Sequence, residues 1–210
     1  MSWNVVIPVK SLDAAKSRLR RDRSGVTDLA LAFALDTLSA VRNSRGAGTI
    51  IVVTSDVRVR TASPAGTLFV DDPGLGLNPA VAAGLHGAGP GKVAVVTADL
   101  PGLTADEFDA VLADAGRHER AMVADHSGHG TTMLTSLGGL IVPRFGPGSR
   151  WRHERQGHVV LPVPQASALR RDIDTAEDLA AALRNRLGPE TLKTLAVAAT
   201  GPAGSAAETG

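Results

Sequence analysis

Several short stretches carry residue types that could do chemistry on phosphates. Lys10, Lys16 and Arg18 lie within nine positions of one another, enough positive charge to neutralise a triphosphate. The stretch is not a P-loop, because the glycine-rich run and the Gly-Lys-Ser/Thr end are missing, and it is not a dinucleotide fingerprint. Its plainer reading is a solvated basic loop. Asp99 follows directly on the apolar run Val93–Ala98. A carboxylate at the carboxyl end of a buried strand suits magnesium, which prefers hard oxygen donors plus substrate phosphates; otherwise it is a turn aspartate. Asp172 and Asp174 alternate, so in a strand they share a face. Two carboxylates aimed one way repel unless a cation lies between them. Asp174 followed by Glu177 also has capping-box spacing, and both readings can hold at once.

Two small-residue stretches complete the inventory. In Asp125-His126-Ser127-Gly128-His129-Gly130-Thr131-Thr132 the glycines let backbone N–H groups approach an anion and the threonines add hydroxyls. His126 and His129 invite a zinc reading, but no third ligand has a suggestive spacing, and exposed histidines are the simpler account. In Arg144–His153, the run Gly146-Pro147-Gly148-Ser149 leads into a helix. Free N–H groups, the helix dipole and the serine hydroxyl would converge there on an anion, or Ser149 simply caps a basic helix. Cations, two carboxylate clusters and two anion nests together suit phosphoryl-group chemistry, in which positioning and charge stabilisation do most of the work. A Gly-x-Ser-x-Gly nucleophile motif is absent.

The elements that must position these groups follow from apolar pattern. Val5–Val9, Thr49–Thr54, Thr67–Val70 and Val93–Ala98 are continuous apolar runs, read as buried strands. Between them fall a helix from Thr27 or Asp28 to about Arg42, with Leu29, Leu31, Ala32, Leu35 and Leu38 as its apolar face, and a helix starting near Asn78-Pro79. Thr104–Glu107 caps a further helix. Such alternation predicts an α/β fold with a mixed, mostly parallel sheet flanked by helices. After about Ala121 short strands (121–124, 132–137, 159–163) should add an antiparallel edge, and Asp172–Asn185 should be a strand end feeding an amphipathic helix. A single domain is expected over 1–188, with 189–210 as a partly disordered C-terminal tail.

The totals exclude several classes. There are 210 residues, 22 basic against 21 acidic, and no cysteine, so disulfides, thiolate metal sites and cysteine nucleophiles are out. A net charge of +1 and only 3% aromatics argue against a nucleic-acid partner. Neither a signal peptide nor a run of about 20 apolar residues is present, so a cytoplasmic protein with no membrane partner is expected.

Taken in order, Ile7-Pro8-Val9-Lys10, Ala15–Leu19, Gly76-Leu77-Asn78, Ala98–Pro101, Gly128–Thr131, Phe145–Ser149 with His153, and Asp172–Leu179 resemble the 2-phospholactate/phosphoenolpyruvate guanylyltransferase family. Those enzymes serve biosynthesis of the deazaflavin coenzyme F-420. The resemblance implies a glycosyltransferase-A-like nucleotidyltransferase fold and an enzyme acting on GTP and a small phosphorylated carboxylic acid. It implies that Lys10, Lys16 and Arg18 hold the GTP phosphates and that Asn78 lies against the guanine. Asp99, Asp172 and Asp174 would bind Mg2+, with Lys10, Lys16 and Asp99 catalytic. Thr131, Gly146 and Ser149 would hold the acid, with His153 nearby. A homodimer and a downstream transferase that takes the product are further expectations. Thr132 stands where family members often carry Asn, and the loop after Leu19 is shorter and more basic than usual. Two other readings stand beside this one: a molybdenum-cofactor guanylyltransferase, usually marked by a glycine-rich first loop, and a non-catalytic nucleotide-binding regulator.

Overall fold

The computed structural model describes residues 2–12 and 23–200. The β-branched runs form a seven-stranded sheet: β1 (Trp3–Pro8), β2 (Ala47–Val53), β3 (Leu68–Val70), β4 (Val93–Val96), β5 (Arg120–Ala124), β6 (Thr131–Ser136) and β7 (Val159–Val160), in the order β3-β2-β1-β4-β6-β5-β7. β1 is central to the parallel half, with Val6 opposite Ile51 of β2 on one side and Val95 of β4 on the other. Its side chains alternate between two apolar layers. Val5 and Ile7 join α1 (Arg23–Arg42) and α4 (Ala105–Ala115), whereas Val6 joins α3 (Leu77–Ala88). Burial on both faces is why β1 and β4 read as unbroken apolar runs, whereas Thr67–Val70, also read as a buried strand, forms the edge strand β3 and leaves Leu68 exposed.

The antiparallel strand is not at an edge, which corrects the expectation from sequence. β6 runs antiparallel to both neighbours, β4 and β5, while the edges β3 and β7 are parallel to theirs. A strand rich in hydroxyls reads as exposed. Here every residue of β6 is buried, because the hydroxyls find carbonyl partners: Thr132 donates to Leu169, Thr135 to Ala121 and Ser136 to Gly139. Satisfied hydroxyls cost little to bury.

The helices are placed by caps and close packing. α1 begins at Arg23, ahead of the Thr27–Asp28 start expected, and tolerates an interior Gly25. α3 lies so close to β1 and β2 that a Cβ on Gly84 would collide with Val6 and Val53. Thr104 caps α4 as expected, accepting from the Glu107 amide. α5 (Ser149–Glu154) is capped by Gly148 in the left-handed region at φ 70°, not by the Ser149 side chain. Asp172–Asp174 is not a strand, another correction, and the cap of α6 (Ala176–Leu183) sits one residue later than expected. Thr175 and Asp178 form the capping box, so Asp174 does not serve as the cap.

Beyond Gly188, residues Pro189–Thr200 form helix α7, which packs on α1. Asp36 of α1 accepts from the backbone amides of Glu190 and Thr191 at 3.0 and 2.9 Å and from the Thr191 hydroxyl at 2.6 Å, capping α7 from across the fold. A short helix, α2 (Val57–Ala62), completes the set described. Among the described residues no helix is long and apolar enough to cross a membrane.

Candidate active site

β1 and β4 are parallel neighbours, and the chain leaves them towards opposite sides of the sheet: β2 and β3 lie beyond β1, and β6 beyond β4. Ligands of open α/β sheets bind at such a switch point, outside the carboxyl ends of the strands. Lys10 and Asp99 follow those two ends. Both line one cavity, together with Val9, Leu77, Thr97 and Asp174. The turn carrying Asp99 is held by Thr37 of α1, whose hydroxyl donates to the Phe33 and Ala98 carbonyls and accepts from the Leu100 amide at 3.1 Å. Leu100, wholly buried, anchors the turn in the core.

The Asp172–Asp174 segment is brought to the same edge by contacts from four directions. Glu107 accepts from the Ser167 hydroxyl (2.7 Å) and the Ala168 amide (3.1 Å), fixing the 3-10 turn Ala168–Arg170. The Thr132 hydroxyl donates to the Leu169 carbonyl at 2.6 Å. Arg170 donates to the carbonyls of Asp125 and Val163. The amide of Ile173 then donates to the carbonyl of Asp99 at 3.1 Å. Buried Ile173 packs with Phe33, Ala182 and Leu187, with Asp174 exposed on one side of it and Asp172 half-buried on the other.

Charge is crowded there. The Asp172 carboxyl is pushed up to about 7, first by burial and then by the charges of Asp99, Asp174 and Asp125. His126 Nδ1 lies 3.8 Å from Asp172 Oδ1. Asp99 and Asp174 line the cavity and Asp172 feels the charge of both, so hard carboxylate oxygens, the donor type a divalent cation takes, lie on this side of the sheet. Among the described residues no group of three or more His, Asp or Glu is placed to hold a metal ion. That also leaves the zinc reading of His126 and His129 without a ligand set.

β6 runs opposite to β4, so its first residue, Thr131, begins beside the end of β4, where the Thr97 amide donates to the Thr132 carbonyl at 3.0 Å. Thr131, Ser149 and His153 form a buried chain: the Ser149 hydroxyl donates to Thr131 Oγ1 at 3.1 Å, and His153 Nδ1 lies 3.0 Å from the same oxygen. The Arg144 amide donates to His153 Nε2 at 3.0 Å. Burial holds the imidazole down at about 4, with His158 and Arg152 adding repulsion, so it is neutral near pH 7. Since Nε2 accepts, Nδ1 carries the proton and donates to Thr131. Phe145 packs edge-on against His153, with ring centroids 5.2 Å apart. Gly146 follows with φ 113°, a conformation open to glycine.

The predicted residues thus fall into two groups. Lys10, Asp99 and Asp174 share a cavity, and Asp172 feels the charges of Asp99 and Asp174. Thr131 and Ser149 are hydrogen-bonded to each other, with Gly146 in the adjoining loop. Asn78 has its amide engaged by the Phe145 backbone at both ends. Lys16 and Arg18 lie outside the described residues. The turn Asp125–Gly130, read as an anion nest, is closed on its own carboxylate, since Asp125 accepts from the Ser127 hydroxyl and the His129 amide. Sequence reasoning missed Thr37, Glu107 and Arg170, which hold the two aspartate segments, and the approach of His126 to Asp172. Nothing local marks them, because their partners are remote in the chain.

The fold and this arrangement define a nucleotidyltransferase, and comparison with known proteins agrees. The family model described as "MobA-like NTP transferase domain" matches residues 28–198, which includes most of α7. The phosphoenolpyruvate guanylyltransferase of Streptomyces scabiei (strain 87.22) is 41% identical over 204 residues, covering 91% of this chain and 94% of the relative. That of Salinispora arenicola (strain CNS-205) is 44% identical over 199 residues, covering 90% and 91%. Among solved structures, a nucleotidyl transferase from Methanothermobacter thermautotroptrophicus superposes with a TM-score of 0.62 at 18% identity, covering 92% of this chain and 99% of that one. A cytidylyltransferase from Leptospira borgpetersenii serovar Hardjo-bovis (strain JB197) gives 0.56 at 14% identity, covering 94% and 93%. The chain belongs to the MobA-like NTP transferases and, within them, to the phosphoenolpyruvate guanylyltransferase family.

Proposed function

We propose that this protein transfers GMP from GTP to the phosphate of phosphoenolpyruvate, giving enolpyruvyl-diphospho-guanosine and pyrophosphate. The observation that carries the reading is the meeting of Asp99 with the Asp172–Asp174 segment beside Lys10, at the switch point of the sheet. Relatives named for this activity, at about 40% identity over nearly the whole chain, support the choice of substrates. The resemblance seen in the sequence extends the proposal to a cytoplasmic role in coenzyme F-420 biosynthesis, with a downstream transferase taking the product.

A phosphate oxygen of the acid attacks the α-phosphorus of GTP. A new P–O bond forms, the bond from the α-phosphorus to the bridging oxygen breaks, and pyrophosphate leaves with that electron pair. The attacking oxygen is already anionic near neutral pH, so no general base is needed. The difficulty is bringing two polyanions together: like unit charges about 4 Å apart repel by roughly 4 kcal/mol at an effective dielectric of 20. Lys10 neutralises part of that charge, and Lys16 and Arg18 are assigned the same task. Asp99, Asp172 and Asp174 would hold magnesium, the substrate phosphates completing its oxygen shell; bound there, it would screen the phosphates and stabilise the leaving pyrophosphate. Ser149 and Thr131, with the Gly146 backbone, orient the acid.

A pyrophosphate-release screen with GTP, magnesium and each of phosphoenolpyruvate, 2-phospholactate and 3-phosphoglycerate, followed by mass spectrometry, tests the assignment. Phosphoenolpyruvate should be the preferred acid. GTP binding that ignores magnesium, with no turnover on any of the three, would instead favour a nucleotide-binding regulator.

A further inference from the structure

Asn78 was expected to lie against the guanine, yet its side chain is turned to another task. Its Oδ1 accepts from the Phe145 amide at 2.7 Å, and its Nδ2 donates to the Phe145 carbonyl at 3.2 Å. The carboxamide thereby meets both polar groups of one backbone residue, a two-point contact that fixes orientation as well as distance. Its neighbour Leu77 lines the cavity that holds Lys10, Asp99 and Asp174. Phe145 opens the loop that ends at Ser149. One residue in the first turn of α3 therefore joins the cavity wall to the loop.

The rest of that loop is fastened within its own segment and to the turn before β6, where the Arg150 amide donates to the His129 carbonyl at 3.1 Å and its guanidinium to the Gly128 carbonyl at 3.2 Å. Arg152 donates to the carbonyls of Arg144 and Pro147, and His153 accepts from the Arg144 amide. These contacts make residues 144–153 one unit, with Ser149 at its buried centre against Thr131. Asn78 ties that unit to the α3 side of the cavity. Asn78 is thus the link by which the first turn of α3 holds Phe145, at the opposite end of the loop from the contact of Ser149 with Thr131.

We infer that Asn78 is a positioning residue that couples the nucleotide cavity to the acid-binding loop, rather than a contact to the base. The roles of cavity and loop rest on the functional reading above; the clamp itself does not. In the assay, Asn78→Ala should raise KM for phosphoenolpyruvate about tenfold, the worth of roughly one net hydrogen bond, while KM for GTP stays within about twofold. In hydrogen exchange on the substrate-free protein, amides of 144–149 should exchange about tenfold faster in the variant. β1 and β4 should be unchanged, which reports an intact fold. If Asn78→Ala loosens the strands as well, Asn78→Asp takes its place: it keeps the acceptor for the Phe145 amide but sets a carboxylate oxygen against the Phe145 carbonyl, and should speed exchange of the same loop. Unchanged exchange across 144–149 in the folded variant overturns the clamp. A rise in KM for GTP equal to that for the acid returns Asn78 to the nucleotide. Should the wild type release no pyrophosphate with any acid, the functional reading fails while the exchange comparison still decides the clamp.

Discussion

The amide of Ile173 donates to the carbonyl of Asp99 across 3.1 Å, so a strand-end turn and a segment far along the chain are joined through their backbones. The aspartates flanking Ile173 are held beside Asp99 by main-chain geometry, whatever their own side chains do. Charge alone would drive these carboxylates apart; buried Ile173 and the bond to Asp99 keep them together. The molecule accepts a local electrostatic cost at the place where a cation and phosphates would relieve it.

That cost should be measurable as a dependence of stability on pH. The ordinary Asp value of 3.8 rises to about 7 at Asp172, by burial and then by Asp99, Asp174 and Asp125. Between those values the folded state keeps a proton that the unfolded chain has lost, so the contribution of Asp172 to stability falls as pH rises from about 4 to about 7 and then levels. Asp172→Asn should remove most of this slope and, without magnesium, gain at least about 3 °C in Tm at pH 8. Thermal melts from pH 5 to 8 check it. Parallel curves for the two proteins would mean that Asp172 carries no such strain.

His153 gives the opposite sign. Its value falls from 6.5 to about 4, chiefly through burial. Below about 6.5 the unfolded chain takes up a proton that the folded chain refuses, so the contribution of His153, present above 6.5, is lost on acidification towards 4. Denaturant titrations should show His153→Gln to be less stable than wild type at pH 7 but with a flatter loss between pH 6.5 and 4. An equally steep loss in the variant would place the acid sensitivity elsewhere.

Ser149 is buried with its hydroxyl on Thr131. Ser149→Ala should raise KM for the acid about tenfold with little change for GTP, because the Thr131–Ser149 pair proposed to orient the acid loses the hydrogen bond that holds it together. Steady-state kinetics with each substrate varied in turn separates the two constants, and equal shifts would remove Ser149 from the acid site.

Gly84 is where α3 meets the sheet. Gly84→Ala should destabilise by about 1–3 kcal/mol, because the added methyl would overlap Val6 and Val53, both in the fully buried sheet core. Chemical denaturation measures this directly, and a neutral or stabilising result would show that α3 can shift outward.

The parallel half of the sheet was legible because strands covered on both faces must be apolar throughout, as Val5–Ile7 and Val93–Val96 are. Asp99 could be found because a carboxylate after such a strand lands at the ligand-binding edge. Other features depended on distant partners and left no local pattern. β6 sits inside the sheet because Leu169, Ala121 and Gly139 supply acceptors for its hydroxyls. α7 is docked because Asp36, remote in sequence, caps it. The α6 cap fell one residue late because Thr175 and Asp178 compete with Asp174 and Glu177 for the same geometry, and the hydroxyl–carboxylate pair closed the box. Asn78 looked like a base contact by motif, and its bonds to Phe145 emerge only when α3 and the 144–149 loop are brought together.

The most direct test of carboxylates joining two anions through a divalent ion is the rate of pyrophosphate release from GTP and phosphoenolpyruvate as magnesium is titrated, in wild type and in Asp99→Asn. Wild type should require the ion, and the variant, folded as judged by its melt, should lose at least about 100-fold at saturating magnesium. A near wild-type rate in Asp99→Asn would contradict the role given to the carboxylate cluster.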